Sequence, residues 1–334
     1  SSIKAKFYYS KLGNSSAFTL KQLGTRNLTN HYKKLFRQGA TLVPRNFYFV
    51  EPTQDLNGSF KGKSFAAKTS EVTNRQAKAP WKNIILSGRV SADYLYRTAL
   101  AQNVLPFALH EPPIVLLPAK IGQSGNLRLQ SSNEILQDGS LDTANWFRTV
   151  EAEWGRKKTE KNKNNSNTDW LDWNGKLTAQ IIDTRPVVIY TASAKDANAT
   201  IVRQENFDLP FAIDYTTYFC ACGSEEEAQY VCCFLNSDFA NLRMKDFQAR
   251  GLFGARHVSK KILDVALPKF DPQSKAHTTI ADLGQTCHKN AATYLTSEKP
   301  EANLSAHALG RHRLAIRRLL SAELEKIDAL FKSL

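Results

Sequence analysis

Residues 212–239 read AIDYTTYFCACGSEEEAQYVCCFLNSDF. Thr217 to Cys222 is a short run of aromatic and small apolar side chains, which predicts a strand. Gly223 interrupts it. Ser224 and Glu227 then stand at capping-box spacing, where the hydroxyl accepts from the third helical amide and the carboxylate answers an amide at the helix start. A helix is therefore expected from Glu225, with Val231, Phe234, Leu235 and Leu242 on its buried side, finished by Gly251.

Outward from this unit, the second half of the chain carries expected strands at Leu177–Ile182, Val187–Thr191 and Thr200–Val202. It closes on an expected helix from Leu309 to Leu330, whose stripe of Leu309, Ile316, Leu320, Leu324, Ile327 and Phe331 suits docking on another helix better than contact with DNA. Arg311, Arg313, Arg317 and Arg318 fall elsewhere on that helix. Towards the N-terminus, GRKKTEKNKNNSNT (Gly155–Thr168) has nothing to bury and is expected to be solvated. A short helix is expected at His31–Phe36, a strand at Asn46–Val50 stopping before Pro52, and an exposed basic loop from Asp55 to Pro80. A strand at Trp81–Leu86 and a helix at Ser91–Ala101, presenting Tyr94, Leu95 and Ala99, are expected next. A buried strand within Pro112–Pro118, a turn at Ile121–Asn126 and a helix over Asp142–Trp154 follow, the helix with Trp146, Phe147, Val150 and Trp154 at burying intervals. The sum is an α+β protein: a mixed β-sheet domain with C-terminal helices. Its expected parts are a basic region (1–155), a polar linker or loop (156–175), an α/β part (176–285) and a helical segment (286–334).

With 334 residues, 42% of them apolar and 23% charged, the chain has ample material for a core, and disordered, collagen-like and coiled-coil readings fall away. No apolar run approaches the ~20 residues of a membrane span. Lys4 and Lys6 lead into polar residues rather than a signal sequence, so the cytoplasm is the expected compartment and no membrane partner is expected. The chain opens with Ser1 and its single methionine is Met244, which fits a piece of a larger protein. Cys220, Cys222, Cys232, Cys233 and Cys287 are odd in number and lack paired zinc spacing, so buried reduced thiols are expected. The net charge is +14, and residues 1–100 hold 17 basic side chains against four acidic ones. The remainder is close to balance. Such segregation points to a polyanionic partner.

Catalytic patterns are missing. There is no G-x-G phosphate cradle, P-loop, G-x-S-x-G or H-E-x-x-H. Glu111-Pro112-Pro113-Ile114 lacks the first and fourth residues of an amino-methyltransferase turn. Glu151, Glu153 and Asp169 make a poor set of nuclease metal ligands. No catalytic and no metal-binding residue is assigned.

Residues 212–239, together with QARGLFGARHVSKKILDVALPKFDPQSKAHTTIADLG (248–284), resemble the target-recognition domain at the C-terminal end of N6-adenine DNA methyltransferases. Type IIG restriction-modification enzymes and type I specificity subunits share that domain. The likeness lies in a strand, an acidic-capped helix ending in Leu235-Asn236-Ser237, a Gly-rich basic turn, a Leu267-Pro268 closure and a helix with His277 near its start. The tail RLAIRRLLSAELEKIDALFKSL is similar to the closing helix of such enzymes, with Ile327-Asp328 in the usual place. QGATLVPRNFYFV (Gln38–Val50) is similar to a segment downstream of their catalytic domain.

The resemblance implies a double-stranded DNA partner and a catalytic domain or subunit elsewhere in the parent. S-adenosylmethionine would be that part's cofactor, since neither the cofactor motif nor the catalytic Pro-Pro turn occurs here. Lys33, Lys34, Arg37, Arg45, Lys61, Lys63, Lys68, Arg75, Lys78 and Lys82 are the candidate phosphate contacts, and any one of them is as readily a solvated lysine or arginine. Gln248, Arg250, Arg256 and His257, with Lys260 and Lys261, are candidates around the glycine turn for reading DNA. Arg250 and Arg256 are equally placed to cap a helix end. The Asn-rich stretch 162–167 is either a reader or a linker. An RNA-binding or ribonucleoprotein accessory role is the alternative from another class. It would need exposed stacking aromatics, whereas Tyr8, Tyr9, Phe47 and Phe49 are expected in the core. A free-standing specificity subunit is a further alternative.

Overall fold

The computed structural model describes residues 6–20, 29–53, 60, 64–248, 250–251, 254–255 and 258–334, with backbone alone at Lys161 and at the described residues of 250–255. It opens on a hairpin in which β1 (Tyr8–Leu12) pairs with β2 (Ser15–Thr19), setting Tyr9 opposite Phe18 and Lys11 opposite Ser16. A 3-10 turn at His31–Lys34, capped by the Asn30 side chain, leads to β3 (Arg37–Gln38). Then come α1 (Arg45–Tyr48), β4 (Phe49–Pro52), β5 (Ser64–Thr69), α2 (Glu71–Arg75), β6 (Ser87–Ser91) and β7 (Leu95–Arg97). The small hairpin of β8 (Val104–Leu105) and β9 (Ala108–Leu109) precedes β10 (Ile114–Leu116), β11 (Ala119–Ile121) and β12 (Leu127–Leu129). Helices α3 (Ser132–Gln137), α4 (Leu141–Lys157) and α5 (Asn167–Leu171) complete this portion.

β6, β5, β4, β10 and β7 lie side by side in that order in one antiparallel sheet. Helix α4 closes the core with Trp146, Phe147, Val150 and Trp154, the side chains its spacing predicts. Burial forces a partner on each indole N–H. Trp146 Nε1 donates to the Phe47 carbonyl at 3.1 Å, and Trp154 Nε1 donates to the Asn165 carbonyl at 2.8 Å. The polar stretch 155–168 is largely exposed. It is nonetheless pinned by that second bond and by a capping box between Ser166 and Asp169.

The second core begins with β13 (Val187–Thr191), β14 (Ala199–Val202) and β15 (Thr217–Ala221), then α6 (Glu225–Asn236), α7 (Asp238–Lys245), β16 (Arg250–Gly251) and β17 (Gly254–Ala255). Helices α8 (Lys275–Glu298), α9 (Ala306–Leu319) and α10 (Ser321–Ser333) end the chain. The sheet order is β14, β13, β15, β3, again antiparallel, with α6 packed on the sheet and α8 on α6. The architecture is α+β with C-terminal helices. Parallel pairing occurs only in isolated bridges among the described residues, such as Asn30 with Leu267 and Ala40 with Asp214. All five cysteines are free and buried, and burial raises the Cys232 and Cys233 thiols well above their usual range.

The two cores interleave along the chain. Tyr32 and Phe36 are buried with the second core, while Leu171, Leu177, Leu209 and Ala212 are buried with the first. The crossing is at Gly39, where a Cβ would lie 2.3 Å from the Asp214 carbonyl oxygen, so no larger residue lets the strands approach this closely.

Several local expectations are corrected. Asn46–Val50 is not one strand but a helical turn running into β4, because Pro44 starts a turn that buries Phe47 and Tyr48 together. Trp81–Leu86 forms no strand: Trp81 instead stacks on Trp154, with centroids 5.1 Å apart. Ser91–Ala101 is a 3-10 turn followed by β7. Tyr94, Leu95 and Ala99 are buried as expected, but so is Tyr96, because β7 is covered on both faces, where period cannot separate helix from strand. Leu177–Ala179 is a turn, and Ile181 makes a single antiparallel bridge to Asn126 in place of the expected strand. The expected helix past Leu235 breaks at Ser237, whose Oγ donates to the Phe234 carbonyl and accepts from the Ala240 amide, ending one helix and starting the next. Leu242 is consequently exposed. The C-terminal helix is likewise two, divided at Leu320. Ser237→Ala should cost about 1 kcal/mol, read as a lower urea midpoint at unchanged m-value.

Candidate nucleic-acid interface

The bridge between Asn30 and Leu267 brings distant segments together. His31 N–H donates to the Leu267 carbonyl at 2.9 Å, and Asn30 Nδ2 donates to the Val265 carbonyl at 2.9 Å. The 3-10 turn His31–Lys34 is thereby set beside a second 3-10 turn, Lys261–Asp264. Between them opens a cleft of about 500 Å³ lined by Asn14, Ser15, Lys33, Phe247, Gln248, Val258, Ser259, Lys260, Lys261 and Asp264. Four of the residues singled out in the sequence meet here: Lys33, Gln248, Lys260 and Lys261.

Asp264 organises the cleft. Its carboxylate is largely buried and accepts from Lys33 Nζ at 2.5 Å and Lys261 Nζ at 3.4 Å. Lys261 Nζ also donates to Ser15 Oγ, tying the turn of the β1–β2 hairpin to the wall. Gly13, at φ +56°, sits so close that a Cβ would lie 2.5 Å from the Asp264 carboxylate. Lys260 is exposed, with its ammonium 6.0 Å from the centroid of the Tyr218 ring. Among the described residues no carboxylate pairs with Lys260 or with the exposed Lys34. Three lysines against one aspartate leave the cleft cationic.

Gln248 is a wall residue: it is only 5% exposed and its Nε2 donates to the Lys195 carbonyl at 3.3 Å. Arg250 belongs to β16, opposite Ala255 of β17. Arg256, His257, Lys61 and Lys63 lie outside the described residues. The remaining candidates sit elsewhere. Lys68 on β5 pairs with Glu71 at 2.6 Å, and Arg75 approaches the same carboxylate at 3.5 Å. Lys78 and Lys82 are exposed on either side of Trp81. These four are carried by the first core, whereas Lys33, Lys260 and Lys261 are carried by the second. Arg37 lies at the sheet edge in a smaller hollow of about 240 Å³ that it shares with Asp183 and Arg185. The Asn-rich stretch 162–167 is a capped turn below Trp154.

Arg45 has its guanidinium 5.6 Å from the Phe49 ring centroid and is a nearby positive charge acting on Asp214. Asp214 is fully buried at the crossing of the two cores. Oδ1 accepts from Thr216 N–H at 2.9 Å and Thr216 Oγ1 at 2.6 Å, while Oδ2 has no hydrogen-bond partner among the described residues. Burial drives its pKa up to about 6 despite Arg45.

Sequence reasoning did not find Asp264, which carries no local signal, and it passed over the hairpin turn although Gly13-Asn14 is a two-residue hairpin loop. It also placed Tyr8 and Tyr9 in the core. Phe47 and Phe49 are buried, Tyr8 is half-buried, and Tyr9 points to solvent because alternation on a single two-stranded hairpin leaves one face uncovered. Among the described residues no three His, Cys, Asp or Glu side chains are grouped to hold a metal, and no helix is long and apolar enough to cross a membrane.

No family model and no curated protein matches the chain. Among solved structures, the type IIL restriction-modification enzyme MmeI in complex with DNA is similar over 89% of this chain and 34% of its own, at 12% identity and a TM-score of 0.45. The type IIG restriction endonuclease BpuSI is similar over 88% of this chain and 32% of its own, at 13% identity and a TM-score of 0.33. The chain thus spans about a third of each of those chains.

Proposed function

We propose that this chain is the DNA target-recognition module of an adenine-N6 DNA methyltransferase or combined restriction-modification enzyme, acting with a catalytic domain or subunit that it does not itself contain. The supporting observation is the cleft, in which Lys33 and Lys261 converge on a shared Asp264 although Lys33 and Asp264 are 231 residues apart in sequence. A methyltransferase that extrudes its target base needs a second body to grip the flanking duplex and hold register. Lysine ammonium groups supply sequence-independent grip on phosphates, and side chains on an adjoining rigid element read base edges.

Here Lys33, Lys34, Lys260 and Lys261 are assigned the grip, and Arg250 of β16, with Arg256 and His257 farther along the sequence, is assigned the reading. Lys61, Lys63, Lys68, Arg75, Lys78 and Lys82 would extend the grip along the first core. Methyl transfer belongs to the catalytic part, which would bind S-adenosylmethionine; this chain's share is orientation of the duplex.

Selection from a randomised duplex library tests the assignment. A recognition module enriches one short motif, and an Arg250→Ala variant relaxes a position of it with a cost of about 1–3 kcal/mol. A library that emerges unenriched contradicts sequence reading.

A further inference from the structure

The β1–β2 hairpin leaves a whole face uncovered. Phe7 (59% exposed), Tyr9 (62%), Phe18 (71%) and Leu20 (65%) are among the most exposed large apolar side chains of the protein. The pairing of Tyr9 with Phe18 and of Lys11 with Ser16 places these residues on one face, because cross-strand partners share a side of the sheet. Tyr9 and Phe18 meet edge to ring with centroids 5.9 Å apart. The opposite face is closed by the Ser10–Thr19 hydroxyl bond at 2.8 Å.

Two observations say what covers the open face. Its stripe runs through Lys11 to a turn whose Asn14 and Ser15 line the cationic cleft, and Ser15 Oγ accepts from Lys261. The charge beside the hairpin is mainly cationic: Lys11 is exposed on the open face, Lys6 lies over the Tyr8 ring on the other, and the one carboxylate at the turn, Asp264, is paired with Lys33 and Lys261. An apolar, aromatic face that carries Lys11 and runs to a cleft lined by three lysines matches a ligand that is flat and apolar on its faces and anionic along its edge. Unpaired nucleobases on a phosphate backbone have that chemistry.

We infer that the outward face of the β1–β2 hairpin is a stacking platform for unpaired DNA bases adjoining the duplex held in the cleft. This rests on the reading of the cleft as a DNA site. Tyr9 and Phe18 take the bases on their ring faces, and Lys11 holds the phosphate between platform and cleft. The face is thus a second binding site, for single-stranded DNA emerging from a duplex.

The test compares a blunt duplex with the same duplex carrying a ten-thymine single-stranded extension, by fluorescence anisotropy on the full chain. The wild type should bind the extended DNA at least tenfold more tightly, as one stacked base contributes about 1–3 kcal/mol. Tyr9→Ala/Phe18→Ala should erase that preference, leave blunt-duplex affinity unchanged and keep the thermal midpoint, since both side chains are exposed. Tyr9→Phe should retain the preference. No preference in the wild type, or an equal one in the double alanine variant, overturns the platform while leaving the cleft reading intact. Failure to bind either DNA overturns both. Stronger competition by ten-residue oligouridine than by oligothymidine would reassign the face to RNA.

Discussion

Lys34→Glu combined with Lys260→Glu should weaken duplex DNA binding by about 10²-fold or more at ~0.1 M salt. Each lysine that neutralises a phosphate releases a counterion, so losing two contacts costs nearly two decades before the repulsion of the new carboxylates is counted. These two positions isolate binding from folding. Both are exposed, and neither pairs with a carboxylate among the described residues. Lys33 and Lys261 are unsuitable for reversal, because a glutamate there would face the largely buried Asp264. The check is anisotropy alongside a thermal melt. A melt at the wild-type midpoint with the affinity loss places the interface at this cleft, whereas unchanged affinity moves it to another surface.

Asp214→Asn should stabilise the protein at pH 8 by about 2 kcal/mol and lose that advantage below about pH 4. Unfolded, this carboxyl titrates near 3.8; folded, it titrates at about 6. Between those values the native state holds the extra proton, so stability falls as pH rises through the window. Above it, the buried carboxylate costs about 3 kcal/mol relative to its neutral form. Asparagine keeps the acceptor for Thr216 and removes the charge, but places an amide where Oδ2 has no partner, which returns about 1 kcal/mol. Urea melts at pH 8 and pH 3.5 separate the terms. Equal stabilisation at both would mean that ionisation of Asp214 plays no part.

How much of this was legible beforehand differs by element. α4 could be read because Trp146, Phe147, Val150 and Trp154 lie on one stripe, and the start of α6 because Ser224 and Glu227 cap locally. In the structure Glu227 returns its bond to the Gly223 amide at 2.7 Å and also accepts from the Tyr32 hydroxyl at 2.9 Å, a partner no local pattern announces. β7 was hidden, since Leu95 and Tyr96 are both buried and show no alternation. The break at Ser237 was hidden because its hydroxyl serves two helices and the apolar rhythm runs on past it.

Charge segregation drew attention to residues 1–100, whereas Lys260, Lys261 and Asp264 of the cleft lie in the near-neutral remainder of the chain. The loop expected over Asp55–Pro80 is in fact β5 and α2, which pair Lys68 and Arg75 with Glu71, while the meeting of Lys33 with Lys260 and Lys261 depends on Asn30 bonding to Val265. That contact is purely tertiary. So is the burial of Tyr32 and Phe36 in the core of the second half, which depends on Gly39 letting the strand cross.

The most direct measurement is the dependence of duplex affinity on salt. With Lys33, Lys34, Lys260 and Lys261 on phosphates, a plot of log K against log salt should fall with a slope of about −3 to −4, and by about two units less steeply in the Lys34→Glu/Lys260→Glu variant. A flat plot for the wild type, or the same slope in both proteins, would contradict a duplex held in this cleft.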